Sequence, residues 1–268
     1  MPSRRRLDAE LVRRGLARSR EQAATLIAGG RVRVGGRVAS KPATAVAGAE
    51  PIVVNEPTGD DDYVSRGGHK LAGALDTFAA AGLGVVGRRC LDAGASTGGF
   101  TDVLLRRGAA EVVAVDVGYG QLAWSLRSDP RVVVLDRTNV RDLSPEIVGK
   151  PVDLVVADLS FISLRLVLAA LAAVTAPGGD LLLMVKPQFE VGRDRVGRGG
   201  VVREPALRAD AVRSVAAAAG EVGLGVAGVT ASPLPGPSGN VEYFLWLRAD
   251  ASPLDPVAVQ RAVEEGPA

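Results

Sequence analysis

The segment from Arg89 to Phe100, which reads RCLDAGASTGGF, constrains the fold of this chain more than any other stretch. A short apolar run ends at Asp92, small residues with a Gly pair follow, and an apolar-periodic segment continues through Leu105. This order predicts a strand, a tight turn and a helix. Such a turn directs backbone N–H groups and a helix N-terminus towards the space above the strand end, which suits a nucleotide-like ligand. The identity of that ligand decides the function.

Apolar runs of strand length recur along the chain, with helical segments between most of them. The first five are typical of strands that are covered on both faces, as in a parallel sheet. The last two are joined by SPLPGPSGN, which leaves no room for a helix, so they are predicted to form an antiparallel pair. The predicted strands are 88–92, 111–116, 131–135, 152–157, 180–186, 225–231 and 241–247. The pattern predicts an α/β fold with a mostly parallel, seven-stranded sheet.

Charge is distributed unevenly along the chain. Residues 1–58 contain 11 Lys and Arg against 5 Asp and Glu, whereas the remaining residues contain 21 against 25. The net charge of +2 for the whole chain therefore conceals a basic N-terminal piece, and a basic piece of this kind predicts a polyanionic partner.

The basic N-terminal piece is predicted to fold as a small α+β module. Leu7 and Leu11 share one face of a first helix. Ser19 is predicted to be the N-cap of a second helix, with Gln22 at the reciprocal capping position. The segment RVRVGGRV at 31–38 predicts a hairpin with a Gly-Gly turn and with arginines on its exposed faces.

The stretch NEPTGDDD at 55–62 is polar, rich in breakers and without apolar periodicity. These features are typical of a connection between domains. The predicted division of the chain is a small module at 1–58, a linker at 59–66 and a second domain at 67–268.

Residue counts exclude several kinds of site and location. Cys90 is the only cysteine and lies in a predicted strand, which excludes an intramolecular disulfide and a cysteine metal site and predicts a core thiol. Asp8 and Glu10 lie where a signal peptide would need its apolar stretch, and no apolar run approaches the ~20 residues that span a bilayer. We therefore expect a cytoplasmic protein with no bound metal and no membrane partner.

Three interpretations of the turn compete. The letters GASTG match the nucleophile elbow of hydrolases, but such an enzyme needs its histidine after the serine, and His69, the only histidine, precedes Ser96. A dinucleotide site prefers G-x-G-x-x-G, and Ser96 stands where the second glycine belongs, which disfavours this ligand without excluding it. S-adenosylmethionine has no phosphate, so the turn needs only to admit its methionine part. Asp116, at the end of the next strand, would then take the ribose hydroxyls.

Four ionisable residues stand out near predicted element ends. Asp158 and Lys186 follow the fourth and fifth strands, so both are expected on the carboxyl edge of the sheet, where the turn also lies. Lys70 begins the helix before the first strand, and Glu242 lies early in the last strand, where a carboxylate needs a partner. Because lysine is rare in this arginine-rich chain, a lysine directly after LLLMV indicates a requirement for a compact ammonium group.

Residues 6–36 resemble the S4 RNA-binding domain of ribosomal protein S4 and several RNA-modifying enzymes. They match nearly every fixed position of its signature, R-L-D-x-x-L-x-x-x-G-x-x-x-S-R-x-x-A-x-x-L-I-x-x-G-x-V-x-V-x-G. The resemblance implies contacts with the phosphates and the shape of a folded RNA. The implied RNA-binding residues are Arg4, Arg6, Arg18, Arg20 and Lys41, and Arg66 in the predicted linker is also predicted to bind RNA.

Lys70, Asp158, Lys186 and Glu242 resemble the K-D-K-E tetrad of FtsJ-type 2′-O-ribose methyltransferases. With the S4-like module and the phrases LDAGASTGGFT, DVGYGQL, VKPQFE and GPSGNVEY, residues 4–248 resemble the TlyA family of ribosomal RNA cytidine 2′-O-methyltransferases, also named haemolysin A. The resemblance implies a Rossmann-like class I methyltransferase domain with S-adenosyl-L-methionine as its cofactor. It also implies ribosomal RNA within ribosomal subunits as the partner of a protein that is monomeric when free.

We hypothesise a separate role for each residue of this tetrad. Lys186 contacts the ribose 2′-oxygen and stabilises its developing negative charge, Asp158 and Glu242 set the orientation and pKa of that ammonium, and Lys70 adds positive potential. The residues implied to bind the cofactor are Asp92, Gly94, Ala95, Ser96, Thr97, Gly98, Gly99, Phe100, Asp116, Val117, Asn139 and Asp158. Two other functions stay open, a non-catalytic RNA-binding factor and a membrane-active protein of the kind that the haemolysin name implies.

Overall fold

The chain divides into two compact units, Met1–Asp62 and Tyr63–Ala268. The computed structural model describes residues 4–17, 19–28, 30–54 and 63–267. Residues 59–62 of the predicted linker lie outside the described residues, and the rest of the predicted linker belongs to the second unit. The two units are described separately below.

The described part of the N-terminal unit contains two helices and two small antiparallel sheets. The first sheet has two strands and the second has three. The strands are β1 (Arg4–Arg6), β2 (Val32–Val34), β3 (Arg37–Val38), β4 (Ala45–Ala47) and β5 (Ile52–Val54), and the helices are α1 (Leu7–Arg13) and α2 (Arg20–Ala28). β1 pairs with β4, and β2 lies between β3 and β5.

Local sequence accounts for this α+β module. The Ser19 hydroxyl accepts a hydrogen bond from the Gln22 N–H at 3.1 Å, so α2 has the predicted N-cap. Gly35 and Gly36 both have positive φ and form the predicted turn between β2 and β3. The core of the unit includes Leu7, Leu11, Ala23, Ile27, Val32 and Val46.

The C-terminal unit is an α/β structure built on a seven-stranded sheet. Its strands are β6 (Arg89–Ala93), β7 (Glu111–Val115), β8 (Val132–Leu135), β9 (Val152–Ala157), β10 (Thr175–Val185), β11 (Gly225–Ala231) and β12 (Tyr243–Arg248). Its helices are α3 (Gly67–Ala79), α4 (Gly99–Arg106), α5 (Trp124–Arg127), α6 (Pro145–Val148), α7 (Leu168–Val174), α8 (Pro187–Glu190), α9 (Pro205–Glu221) and α10 (Pro256–Glu264). Short 3-10 helices lie at Val140–Asp142, Leu164–Leu166, Arg193–Arg195 and Arg198–Gly200. The predicted fold class is confirmed.

The strand order is β11-β12-β10-β9-β6-β7-β8. β12 runs in the opposite direction to the other six strands, so it is antiparallel to both β10 and β11. The predicted antiparallel pairing of the last two strands is therefore confirmed. β12 lies between β10 and β11, with Tyr243 opposite Val185 on one side and Ala231 on the other. Because β12 is antiparallel, its first residues lie at the edge where the parallel strands end.

β10 begins at Thr175, five residues before its predicted start. Thr175 pairs with Val152, and the register then shifts before Asp180 pairs with Leu154. The segment TAPGGD contains a proline and two glycines, which by themselves indicate a turn. The shift in register accommodates these extra residues, and only the pairing with β9 reveals them as part of the strand.

Alternate residues of the central strands face two separate apolar cores. Leu91 and Val155 belong to one core, whereas Cys90 and Leu182 belong to the other. Burial on both faces explains why these strands are continuous apolar runs in the sequence. Cys90 is fully buried, and this burial raises its pKa to about 12. The prediction of a core thiol is confirmed.

Candidate active site

The turn after β6 is shaped by three residues with positive φ, Gly94 (87°), Ser96 (48°) and Gly98 (101°). A Cβ atom at Gly94 would lie 2.9 Å from the backbone carbonyl oxygen of Asp158, and one at Gly98 would lie 2.2 Å from Leu126 Cδ1. Side chains are therefore excluded at both glycines. Ser96 has a left-handed backbone, which is uncommon outside glycine. The turn thus brings its backbone directly against the end of β9.

Asp116 directly follows β7 and fixes this turn. Its Oδ2 accepts the Ser96 N–H at 2.8 Å, and its Oδ1 accepts the Gly118 N–H at 2.7 Å. Each carboxylate oxygen can accept more than one hydrogen bond, and Asp116 is only half-buried. The residue therefore retains acceptor capacity for the ribose hydroxyls of a nucleotide-like ligand while it holds the turn.

Asp92, the fourth residue of β6, lies beneath the turn and is fully buried. Its Oδ2 accepts a hydrogen bond from Thr101 Oγ1 at 2.7 Å, whereas its Oδ1 has no partner among the described residues. Burial raises the pKa of Asp92 to about 7, and the negative charges of Asp158 and Asp116 add to the shift. This orphaned oxygen is an acceptor position below the cradle formed by the turn.

The raised pKa of Asp92 predicts a pH dependence of stability. The folded state binds this proton more tightly than the unfolded state, so the resulting stabilisation is complete below the unfolded pKa, near 3.8, and is lost as the pH rises to about 7. The loss amounts to as much as about 4 kcal/mol. In Asp92→Asn this proton is absent, and we expect the free energy of unfolding to decline less between pH 5 and pH 8 than in the wild type. Urea unfolding of both proteins across this range measures the difference, and parallel pH profiles would contradict the prediction.

Lys186 directly follows β10, and its Nζ lies 2.5 Å from Asp158 Oδ1. The same Nζ donates a hydrogen bond to Ser160 Oγ at 3.1 Å. β9 and β10 are parallel neighbours, so the residues that follow them lie side by side, as the sequence predicted. Ser160 was not predicted, although its position two residues after Asp158 on the same edge was the available signal. The side chains of Lys186 and Asp158 are 10% and 25% exposed, so the ion pair is largely shielded from solvent.

Lys70 and Glu242 form a second ion pair, with 2.5 Å between Lys70 Nζ and Glu242 Oε2. These side chains are only 7% and 1% exposed. Lys70 lies in the first turn of α3, and Glu242 directly precedes β12. A Cβ atom at Gly236 would lie 2.6 Å from Glu242 Oε1, so a glycine is required where this loop crosses the carboxylate. Glu242 therefore contacts Lys70 and not Lys186, which differs from the hypothesised arrangement.

Both ion pairs lie at the carboxyl edge of the sheet. The pairing of Val185 with Tyr243 sets Lys186 and Glu242 at adjacent positions along this edge. A Cβ atom at Gly67, three residues before Lys70, would lie 3.8 Å from Asp158 Oδ2. The start of α3, the ends of β9 and β10 and the beginning of β12 therefore converge on one region beside the turn.

The remaining residues predicted to bind a cofactor occupy varied positions. Ala95 and Phe100 are buried below the turn, and Val117 is 67% exposed after β7. Asn139 is exposed, and its Oδ1 accepts the Arg141 N–H at 3.1 Å as the cap of a 3-10 helix. Thr97 and Gly99 flank Gly98, and Gly99 begins α4. Their roles in binding stay predictions.

The basic residues of the N-terminal unit differ in how they are held. Arg6 and Arg20 each lie 3.0 Å from Asp8 Oδ2, and their side chains are more than half exposed. Hydrogen bonding from Arg6 is the largest cause that lowers the pKa of Asp8 to about 2. Arg4 and Lys41 are exposed. The RNA-binding roles of these residues stay predictions.

The structure describes only one of the two remaining residues that are predicted to bind RNA. Arg18 lies outside the described residues. Arg66, in the C-terminal unit, donates a hydrogen bond to the Pro235 carbonyl at 3.2 Å. His69 is exposed at the start of α3, with its ring against that of Tyr63.

Two negative findings apply to the described ranges. Residues 4–17, 19–28, 30–54 and 63–267 contain no group of three or more His, Cys, Asp or Glu that could hold a metal ion. Within the same ranges, no helix combines the length and the apolar character needed to cross a membrane.

Comparison with known proteins identifies both units. Residues 5–51 match the S4 domain, and residues 63–249 match the FtsJ-like methyltransferase family. The chain is 62% identical over the full length of both chains to the 16S/23S rRNA (cytidine-2′-O)-methyltransferase TlyA of Mycobacterium tuberculosis. It is 36% identical to Hemolysin A of Brachyspira hyodysenteriae, over 89% of this chain and 98% of that one. A solved structure of a hemolysin-named protein from Streptococcus thermophilus superposes with a TM-score of 0.77 at 38% identity, covering 99% of this chain and 96% of that chain.

The sheet, the turn and the family match together define an FtsJ-like methyltransferase with an N-terminal S4 domain. Within this class, the chain belongs to the TlyA family. The resemblance inferred from the sequence is thereby confirmed.

Proposed function

We propose that this protein transfers a methyl group from S-adenosyl-L-methionine to the ribose 2′-hydroxyl of cytidine in ribosomal RNA. The observation that carries the proposal is Lys186, whose Nζ is held by Asp158 and Ser160 beside the turn after β6. The match to TlyA of Mycobacterium tuberculosis, which is named for this activity, supports the same substrate.

The turn and Asp116 suit the methyl donor. Gly94 and Gly98 let the turn pack against the end of β9 and against Leu126, and this packing fixes the backbone that would face the ligand. The half-buried carboxylate of Asp116 would accept hydrogen bonds from ribose hydroxyls, and Asp92 Oδ1 is a buried acceptor beneath the turn. When bound, S-adenosyl-L-methionine supplies a methyl group on a positively charged sulfur.

Lys186 carries the chemical step in this proposal. A ribose hydroxyl is a weak nucleophile, so its oxygen must be held in line with the methyl group and its developing negative charge must be stabilised. The Lys186 ammonium donates a hydrogen bond to this oxygen, and Asp158 and Ser160 orient the ammonium. The hydroxyl proton is released to water as the oxygen–carbon bond forms. The ion pair of Lys70 and Glu242 supports the start of α3 and the beginning of β12 beside it.

The S4 domain supplies the contacts with ribosomal RNA. Arg4, Arg6, Arg20 and Lys41 would contact phosphates, and Arg18 and Arg66 are expected to add to them. We propose that the RNA partner lies within ribosomal subunits, that the protein acts in the cytoplasm, and that it is monomeric when free.

Salt dependence tests the role of the N-terminal cations. Lys41→Ala should weaken binding to ribosomal RNA across sequences and reduce the slope of log affinity against log salt by about 1, because one phosphate contact is lost. Filter binding at several salt concentrations measures both values. Arg213→Ala, which removes an exposed arginine of α9, is the control and should leave the slope unchanged. An unchanged slope in Lys41→Ala would remove this residue from the interface.

A methyl-transfer assay tests the proposed function. Purified protein, tritiated S-adenosyl-L-methionine and ribosomal subunits from cells lacking the gene should give labelled RNA, with 2′-O-methylcytidine as the product after digestion. Label in a base or in protein would overturn the proposed reaction. Failure to label any ribosomal substrate, with leakage from erythrocytes at the same protein concentration, would favour the membrane-active alternative that the Hemolysin A relative suggests.

A further inference from the structure

Glu190 is a buried carboxylate close to the candidate catalytic lysine. It is the last residue of α8, four residues after Lys186, and is 6% exposed. Its Oε2 accepts a hydrogen bond from Ser163 Oγ at 2.5 Å, and its Oε1 accepts the Leu164 N–H at 2.7 Å. Both oxygens therefore bind groups that follow β9, although Glu190 itself follows β10.

We propose that Glu190 is a positioning residue, which ties the loop after β9 to α8 and thereby fixes Lys186 between Asp158 and Ser160. The inference rests on the methyl transfer proposed above. It adds a residue that touches neither substrate nor cofactor and acts through the lysine.

The two segments that Glu190 joins are a short helix and a loop, so their positions depend on tertiary contacts. α8 is a single helical turn, and a helix this short is unstable without tertiary contacts. The loop at 158–163 carries both partners of Lys186, and it contains Phe161 with φ of 65°. A left-handed backbone is strained for a bulky residue and persists only where the surroundings impose it. The contacts of Glu190 at the end of this loop provide such a constraint.

The chemistry of the contacts favours a positioning role over a direct one. Ser163 and Leu164 each donate to a different oxygen of Glu190, and Arg165 Nε lies 3.4 Å from Oε2. A carboxylate with both oxygens engaged by the loop after β9 is fixed in place. The ring of Phe161 also lies against that of Phe189, at 5.3 Å between centroids, so a second contact joins the same two segments.

Steady-state kinetics on Glu190→Gln tests this proposal. Gln has nearly the same shape as Glu and keeps one acceptor oxygen. Its amide NH2 group takes the place of the other oxygen and cannot accept the hydrogen bond from Ser163 or Leu164. We expect kcat for methyl transfer to fall roughly tenfold to a hundredfold per folded molecule, because small displacements of reacting groups have effects of this size. The KM for S-adenosyl-L-methionine and for ribosomal subunits should stay within about twofold. A purely structural residue would reduce the folded fraction and leave kcat unchanged.

Asp180→Asn is the matched control. Asp180 is another buried carboxylate, 2% exposed, in the middle of β10 and six residues before Lys186, where it binds Trp246 Nε1 and Arg88. This variant should lose stability and keep its kcat per folded molecule. An equal fall of kcat in both variants would overturn the proposal.

Ser163→Ala provides a second test, because it removes the hydroxyl that donates to Glu190; the same hydroxyl accepts the Arg165 N–H as the cap of the 3-10 helix at Leu164–Leu166, so kcat is measured per folded molecule. We expect a smaller fall in kcat, and the double variant with Glu190→Gln should lose no more than Glu190→Gln alone, since both changes break one linkage. Additive losses, or a wild-type kcat in both single variants, would contradict the inference. The wild-type protein is assayed in parallel, so an inactive wild type would instead refute the proposed function.

Discussion

Lys186→Ala should lose methyl transfer by a factor of roughly 10² to 10³ or more while it keeps its affinity for S-adenosyl-L-methionine. Removal of a single donor that stabilises a developing negative charge has effects of this size. The cofactor turn is formed by other residues, and Lys186 has its described contacts with Asp158 and Ser160. Single-turnover methyl transfer and equilibrium dialysis measure the two quantities separately.

Two controls sharpen the result for Lys186. Lys150→Ala removes an exposed lysine and should transfer methyl groups at the wild-type rate. Lys186→Arg should not restore activity, because a planar guanidinium cannot replace a compact ammonium in this position. Wild-type turnover by Lys186→Ala would exclude the lysine from the mechanism.

Lys70→Ala should lower the free energy of unfolding by about 3–5 kcal/mol, because it leaves Glu242, 1% exposed, as a buried carboxylate without its ionic partner. The double variant Lys70→Met with Glu242→Leu removes both charges and should recover most of this stability. We expect the recovered protein to remain slow in methyl transfer, since the charges beside Lys186 are absent. Urea unfolding and turnover per folded molecule distinguish the two effects.

The surface pair of Arg213 and Asp210 supplies the reference for this experiment. Their side chains are 47% and 52% exposed, and breaking an exposed pair costs about 1 kcal/mol or less. If Lys70→Ala lowers the free energy of unfolding by a similarly small amount, the buried pair contributes no more to stability than an exposed pair. Full activity in the double variant would assign Lys70 and Glu242 a structural role alone.

Sequence reasoning located Asp158 and Lys186 because of a simple geometric rule. Parallel strands end at the same edge of a sheet, so residues that follow neighbouring strands must lie close together. The same rule places the turn at Gly94 and Asp116, the acidic residue after β7, at this edge of the sheet. The position of Gly94, Asp116, Asp158 and Lys186 at one edge of the sheet could therefore be inferred from strand ends without coordinates.

The same reasoning did not assign the partner of Glu242. This residue pairs with Lys70, which is 172 positions away, and the contact depends on how α3 packs beside the sheet. Ser160 and Glu190 were also missed, because both act through a loop whose path has no periodic signal. Side-chain partners across loops are set by packing, which a local pattern does not encode.

The sequence by itself determined the division into a basic module and an α/β domain, the turn with its glycines, and the set of chemical groups at one edge of the sheet. Hydrophobic periodicity, turn residues and charge are local properties, so a linear pattern carries them. Only the tertiary structure decided that β12 lies between β10 and β11, that Lys70 binds Glu242, and that Glu190 joins α8 to the loop after β9. These contacts join segments that are far apart in the sequence. They form because buried polar groups need hydrogen-bonding partners in the packed structure.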